Sequence, residues 1–119
     1  MLRLQQLTTG YGKKVVSSQL CATLPTASLT VLMGTNGAGK STLLRTLAGF
    51  ISPLNGNILY GTKDITNLNP RELAKTLSVV LTFRPEANAL TAKQVVEMGR
   101  MPYAQFFTRN TAADTQAVD

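Results

Sequence analysis

Histidine and tryptophan are absent from this 119-residue chain, cysteine occurs once, and only six residues are acidic. Each shortage closes off a kind of chemistry. Without histidine there is no imidazole to ligate a metal, shuttle a proton or serve as a nucleophile's base. Cys21 has no partner for an internal disulfide and no metal-ligand spacing around it. Its strand-like setting makes a small buried core residue the expected role. No apolar run approaches the ~20 residues that a membrane-spanning helix requires. The opening stretch, MLRLQQLTTG, lacks the apolar centre of a signal peptide. Both shortages lead us to expect a cytoplasmic chain.

The scarcity of acid leaves twelve Lys and Arg against six Asp and Glu, a formal charge of +6. A basic excess can mark a nucleic-acid or anionic-membrane surface. Here the basic residues are scattered, with only Lys13 and Lys14 adjacent, and the seven aromatic residues do not interleave with them as on a base-stacking surface. Nucleic acid is therefore not an expected partner. An apolar share of 44% argues for a packed core over disorder.

The chain shows no internal repeat, low-complexity tract or Pro/Ser-rich linker. Residues 2–7 read as a first strand and 15–24 as a second, with Gly10 and Gly12 as turn residues between them. Residues 28–33, Ser-Leu-Thr-Val-Leu-Met, are expected to form a short buried strand. After the segment that follows, Leu43, Leu44, Leu47 and Ala48 recur at helical spacing, with Gly49 as the stop. Asn55-Gly56 marks a tight turn before a strand at 57–60. Pro70 opens a short helix to Lys75, and 77–81 reads as a second apolar strand. Thr91 caps a helix running to Met98 and ended by Gly99. The tail from Thr111 reads as the start of another helix.

Between the strand at 28–33 and the helix lies Gly34-Thr35-Asn36-Gly37-Ala38-Gly39-Lys40-Ser41, which fits G-x-x-x-x-G-K-[ST] at every fixed position. The pattern is that of a phosphate-binding loop. Its glycines let successive backbone N–H groups turn inward toward a phosphate. The helix that follows offers free amides and the positive end of its dipole. Lys40 is placed to reach the β- and γ-phosphates, and Ser41 to offer a hydroxyl to Mg²⁺.

The longer string, from this loop through Thr42 and on to LLRTLAGFISPLNGNILYGTKDI, resembles the nucleotide-binding domain of ABC transporters. There the P-loop helix leads to a glycine and then a Pro-x-x-Gly turn, here Gly49, Pro53 and Gly56. The resemblance implies an α/β P-loop core with an antiparallel β flap over residues 1–90, and the start of a helical subdomain over 91–119. It implies ATP and Mg²⁺ as cofactors, with Lys40 catalytic, and residues 34–42 holding the phosphates. Tyr11, between the first two strands, holds the place of the family's adenine-stacking aromatic. Integral membrane permease subunits and a second ATP-binding domain are the implied partners, and the inner face of the cell membrane the implied location.

Residues 71–75, 77–82 and 95–103 resemble the ATPases of iron–siderophore, haem and cobalamin importers. One position departs from the family. Thr82 stands where a glutamine follows the strand at 77–81. A threonine hydroxyl can touch Mg²⁺ directly or through water. Either coupling differs here or another residue of the loop, such as Glu86, substitutes; the alternative is that Thr82 only ends the strand. The acidic pair after an apolar strand, an LSGGQ-like signature and the switch histidine do not occur in these 119 residues. The chain is accordingly expected to be the front portion of such a domain, with little turnover alone. The alternatives are a nucleotide-binding module without turnover and a different P-loop enzyme, such as a small-molecule kinase. A kinase is disfavoured because two strands and Tyr11 precede the loop.

Overall fold

The computed structural model describes residues 1–82, 90–103 and Gln116. It divides into two compact units, Met1–Leu73 and Ala74–Asp119. The first is built on an antiparallel sheet of four strands in the order β2-β1-β3-β4, namely β1 (Leu2–Tyr11), β2 (Lys14–Leu24), β3 (Asn55–Tyr60) and β4 (Lys63–Asp64).

The phase of the leucines in β1 explains its shape. Leu2 and Leu4 are two apart, but Leu7 breaks the alternation, so a regular strand would turn Leu7 to the opposite face. The backbone absorbs the mismatch with an extra residue between Leu4 and Leu7, where Gln6 adopts φ 47. Such a bulge restores one apolar face. Leu4 and Leu7 are consequently buried together with Ile58 of β3 and with Ile65, which follows β4. Leu7 is 0% and Ile58 1% exposed. Each such side chain contributes roughly 1.5–3 kcal/mol of burial.

Asp64 ends the sheet and opens a single 3-10 turn, Ile65–Asn67. Its carboxylate accepts hydrogen bonds from the Thr66 amide (2.9 Å), the Thr66 hydroxyl, Asn57 Nδ2 (2.7 Å) and Asn67 Nδ2 (3.3 Å). Burial pushes the Asp64 carboxyl up, but the bonds from Thr66, Asn57 and Asn67 outweigh it and hold the group below its ordinary value.

Helix α1 (Lys40–Leu47) closes at Gly49, whose φ of 76 suits a left-handed cap. The Phe50 amide donates to the Arg45 carbonyl (2.9 Å) and the Gly49 amide to that of Thr46 (3.1 Å). A second constraint acts on Gly49: a Cβ there would fall 2.2 Å from Leu73 Cδ2. Leu73 belongs to α2 (Pro70–Ala74), which Asn69 caps by accepting from the Glu72 amide at 2.9 Å. In the second unit, α3 (Ala92–Met98) opens on a reciprocal cap. Thr91 Oγ1 accepts from the Gln94 amide, and Gln94 Oε1 accepts from the Thr91 amide. Beyond α3 the Tyr103 ring lies 5.3 Å from Lys75 Nζ and 4.7 Å from Arg100 Cζ.

Three expectations are corrected. Residues 28–33 and 77–81 are not in strands, and their side chains are largely exposed, Leu29 at 93% and Val80 at 99%. Both runs have the β-forming composition of parallel-sheet strands, but among the described residues neither has a ladder partner. Cys21 is exposed, because β2 is the edge strand of the sheet. Within α1, Thr42 and Thr46 are buried, while Leu44 stays 54% exposed. The threonine face is the one turned to β1. Glu86 and the tail at 111–115 lie outside the described residues.

Candidate functional site

The loop expected to bind phosphate turns as its sequence requires. Gly37 and Gly39 have φ of 85 and 91, and the Ala38 amide bonds back to the Thr35 carbonyl at 3.3 Å. Gly39 is then the N-cap of α1, with no side chain to cap the first turn. A residue with a Cβ is excluded there twice over. The left-handed backbone disfavours it, and the Cβ would come 2.6 Å from Val16 Cγ1 and 3.2 Å from Ser17 Oγ.

The uncapped start matters for function. The first amides of a helix need an outside acceptor, and the dipole makes an anion the favoured one. No acidic residue lies in the first turn of α1 to compete or repel. Lys40 is the first helical residue, and its Nζ donates to the carbonyls of Gly34 at 2.8 Å and Thr35 at 2.7 Å. The ammonium group thus spans the mouth of its own loop. Thr35, Asn36, Ala38 and Ser41 are exposed around it. A loop of this kind can take a polyphosphate on its amides, with Lys40 as counter-charge and the Ser41 hydroxyl available to a divalent cation.

Tyr11 ends β1 and pairs with Lys14 across the turn Gly12-Lys13. The structure brings it to α1. Hydrogen bonding to the Thr42 side chain, and next to the Arg45 guanidinium, holds the Tyr11 phenol below its ordinary value. The ring remains 48% exposed. The sequence-predicted residues Tyr11, Thr42, Lys40 and the loop glycines therefore meet in one unit. Thr82 is an exposed bend residue of the other unit.

Arg45, whose charge also lowers the Tyr11 phenol's pKa, is not among the residues singled out from the sequence. Its signal was the i, i+3 spacing from Thr42, which puts both on one helix face. Cys21, by contrast, is remote from this chemistry. Its Sγ accepts from the Gln6 amide at 3.4 Å and lines a groove of about 800 Å³ to which no residue of the loop contributes.

A glycine-turned loop feeding an uncapped helix, with a lysine at its first position, defines a P-loop nucleotide-binding protein. Comparison with known proteins carries this further. The ABC transporter family profile matches residues 18–118, and the chain belongs to that family. It is 38% identical over 118 residues to an uncharacterised ABC transporter ATP-binding protein of Methanocaldococcus jannaschii, covering 99% of this chain and 41% of that protein. It is 35% identical over 117 residues to the ferric enterobactin transport ATP-binding protein of Escherichia coli, covering 98% of this chain and 43% of that protein. Against the iron(3+)-hydroxamate import ATP-binding protein of Bacillus subtilis it is 32% identical, covering 98% and 44%.

The fold agrees. The nucleotide-free ATP-binding cassette of an ABC transporter superposes with a TM-score of 0.74 at 23% identity, covering 98% of this chain and 50% of that one. A dimeric cassette bound to ADP and Pi gives 0.67 at 20% identity, covering 99% and 54%. The chain thus spans well under half the length of these curated relatives and about half of the solved cassettes.

Proposed function

We propose that this chain is the nucleotide-binding front of an ABC importer ATPase whose cargo is an iron–siderophore complex or a related iron or cobalamin compound. The observation that carries the reading is the loop of residues 34–41 with Lys40 Nζ held on the Gly34 and Thr35 carbonyls. That arrangement places a cation and free helix amides around a space suited to phosphate oxygens.

In this reading the amides from Thr35 to Ser41 bind the phosphates of ATP, and Thr42 follows them at the helix start. Lys40 leaves the two carbonyls and meets the β- and γ-phosphates. Ser41 would hold Mg²⁺ through its hydroxyl, and the ion would supply positive charge against the charge developing on the phosphate oxygens. Tyr11 receives the adenine on its exposed face. The cargo class is supported by the ferric enterobactin and iron(3+)-hydroxamate relatives.

Among the described residues no helix is long and apolar enough to cross a membrane. The proposed setting, by resemblance to the family, is peripheral at the inner membrane face, against integral membrane permease subunits and a second ATP-binding domain. Residues from 91 on begin the helical subdomain that would face those subunits. Hydrolysis also needs an acidic pair to hold Mg²⁺ and position water, and none of the six acidic residues here follows an apolar strand. The 119-residue chain alone is thus proposed to bind nucleotide without sustained turnover.

Titration calorimetry with MgATP tests the reading. Lys40→Ala is expected to weaken binding about 10- to 100-fold, the scale of losing charge-assisted hydrogen bonds. Equal affinity in the variant and the parent would sink it. A steady-state ATPase rate that disappears in Lys40→Ala would overturn the expected lack of turnover and leave the binding assignment standing.

A further inference from the structure

We propose that Val16 of β2 is a positioning residue for the phosphate loop: pressed against Gly39 beside Ser17, it holds the loop's last turn in its left-handed form. The inference rests on the reading that residues 34–41 bind phosphate, and adds the part of the flap that keeps the loop in shape.

Three observations support it. The first is a pair of distances. A Cβ at Gly39 would fall 2.6 Å from Val16 Cγ1 and 3.2 Å from Ser17 Oγ, so both side chains stand against the bare backbone of that turn. Among the described residues, and apart from the glycine's own chain neighbours, no other atom comes within 4 Å of that point. The wall beside Gly39 is made by these two residues.

The second is how two consecutive strand residues come to meet one point. In a regular strand they would point to opposite faces. Ser17 pairs with Thr9 and Val15 with Gly10, which leaves Val16 as an extra residue in β2. A bulge of this kind bends the strand and re-aims a side chain, here so that Val16 joins Ser17 on the loop side. The cover follows the contact. Between Lys14 and Gln19 only Val16 and Ser17 are half-buried, while Val15 is 54% exposed. Behind them Thr9, the partner of Ser17, is fully buried, and β1 is paired on its other side with β3. The wall thus stands on a strand pair fixed within the sheet.

The third is what the turn controls. Gly39 has φ 91 and is the N-cap of α1, without a side chain to fix it. Its carbonyl accepts from the Leu43 amide at 2.9 Å, and the next residue is Lys40. A glycine moves freely between left- and right-handed backbone and loses more freedom on ordering than any other residue, so restraint at this turn has to come from outside it. Val16 suits the task because its branch at Cβ makes it stiff about χ1. Helix-terminal amides grip an anion only where they point at it, and a drift of Gly39 would re-aim those of Lys40 and Ser41. One bulged strand residue therefore sets the aim of the phosphate-binding amides.

The test is equilibrium binding of ATP and of inorganic tripolyphosphate to the full chain and to Val16→Ala and Val16→Thr. Val16→Ala is expected to weaken both ligands alike, about three- to ten-fold, the scale of one spoiled hydrogen bond. Val16→Thr, which keeps the branched shape, is expected to bind both as the parent does. A loss confined to ATP would make Val16 a contact of the base or ribose and overturn the proposal. Unchanged affinity in Val16→Ala, or a loss in Val16→Thr as large as in Val16→Ala, would overturn it too. If the parent binds neither ligand, the phosphate reading falls and takes this inference with it. Thermal melting without ligand checks the contact by itself. Gly39→Ala should lower Tm by at least about 2 °C less in the Val16→Ala background than in the parent, since loss of Cγ1 makes room for the new methyl group. Equal losses would show that the two residues do not touch. Should Val16→Ala not fold, Val16→Leu, which moves the branch off Cβ, repeats the measurements with the same expected outcomes.

Discussion

The four-stranded sheet and the two apolar runs at 28–33 and 77–81 are built from similar residues and reach opposite ends. In the sheet, Leu7 and Ile58 are sealed from water, whereas Leu29 and Val80 stand almost wholly in it. Composition does not separate them. Val, Leu and Met fill residues 28–33 as richly as leucine fills β1. What differs is the source of each strand's partner. A two-residue turn brings β2 back along β1, so half of the ladder is supplied by the next dozen residues. A strand of parallel type draws its neighbours from across a crossover and is covered on both faces by other elements. Among the described residues those neighbours do not occur, and an apolar run without them is only an apolar run.

The largest expected effect tests the sealed side. Ile58→Ala removes a side chain that is 1% exposed, and should cost about 2–5 kcal/mol in a denaturant titration followed by circular dichroism. A loss below about 1 kcal/mol would mean that the sheet is no better packed than the open runs.

An intermediate effect tests the sheet's edge. Asp64→Ala takes away a turn cap and should cost about 1 kcal/mol. The pH dependence has a defined sign. The folded carboxyl titrates below its unfolded value of about 3.9, so its contribution is fully present above that value. It is then lost as pH falls through the lower folded value. Parent and variant should converge in stability toward the acid end, and a gap that persists undiminished there would remove the carboxylate from the account.

The smallest effect tests the open side. Val80→Ser alters a residue that is 99% exposed and should change stability by no more than about 0.5 kcal/mol. A large loss would show that this run is buried in solution and would collapse the contrast.

The same contrast explains what could be read from the sequence. The loop at 34–41, the Thr91 cap and the Gly49 stop were all legible because each depends on a few adjacent residues. The antiparallel flap was legible because its turn is short. Burial at 28–33, at 77–81 and at Cys21 was not, since burial depends on what lies opposite, and spacing along one chain says nothing of that. Arg45 went unnoticed because the phenol that its charge influences is 34 positions away along the chain. The Leu4–Leu7 phase break was legible in principle as a bulge, although only the backbone at Gln6 identifies which residue takes it up.

Lys40, finally, has the character of a tenant in its own doorway. Because its ammonium already sits on the Gly34 and Thr35 carbonyls, the loop has an internal tie before any anion arrives, and the glycines need not hold the turn alone. On the proposed reading, an incoming phosphate would not create the lysine's hydrogen bonds but exchange them, freeing two carbonyls to water as it took the cation. The heat released on binding would then be a difference between two sets of bonds and would understate the grip that results.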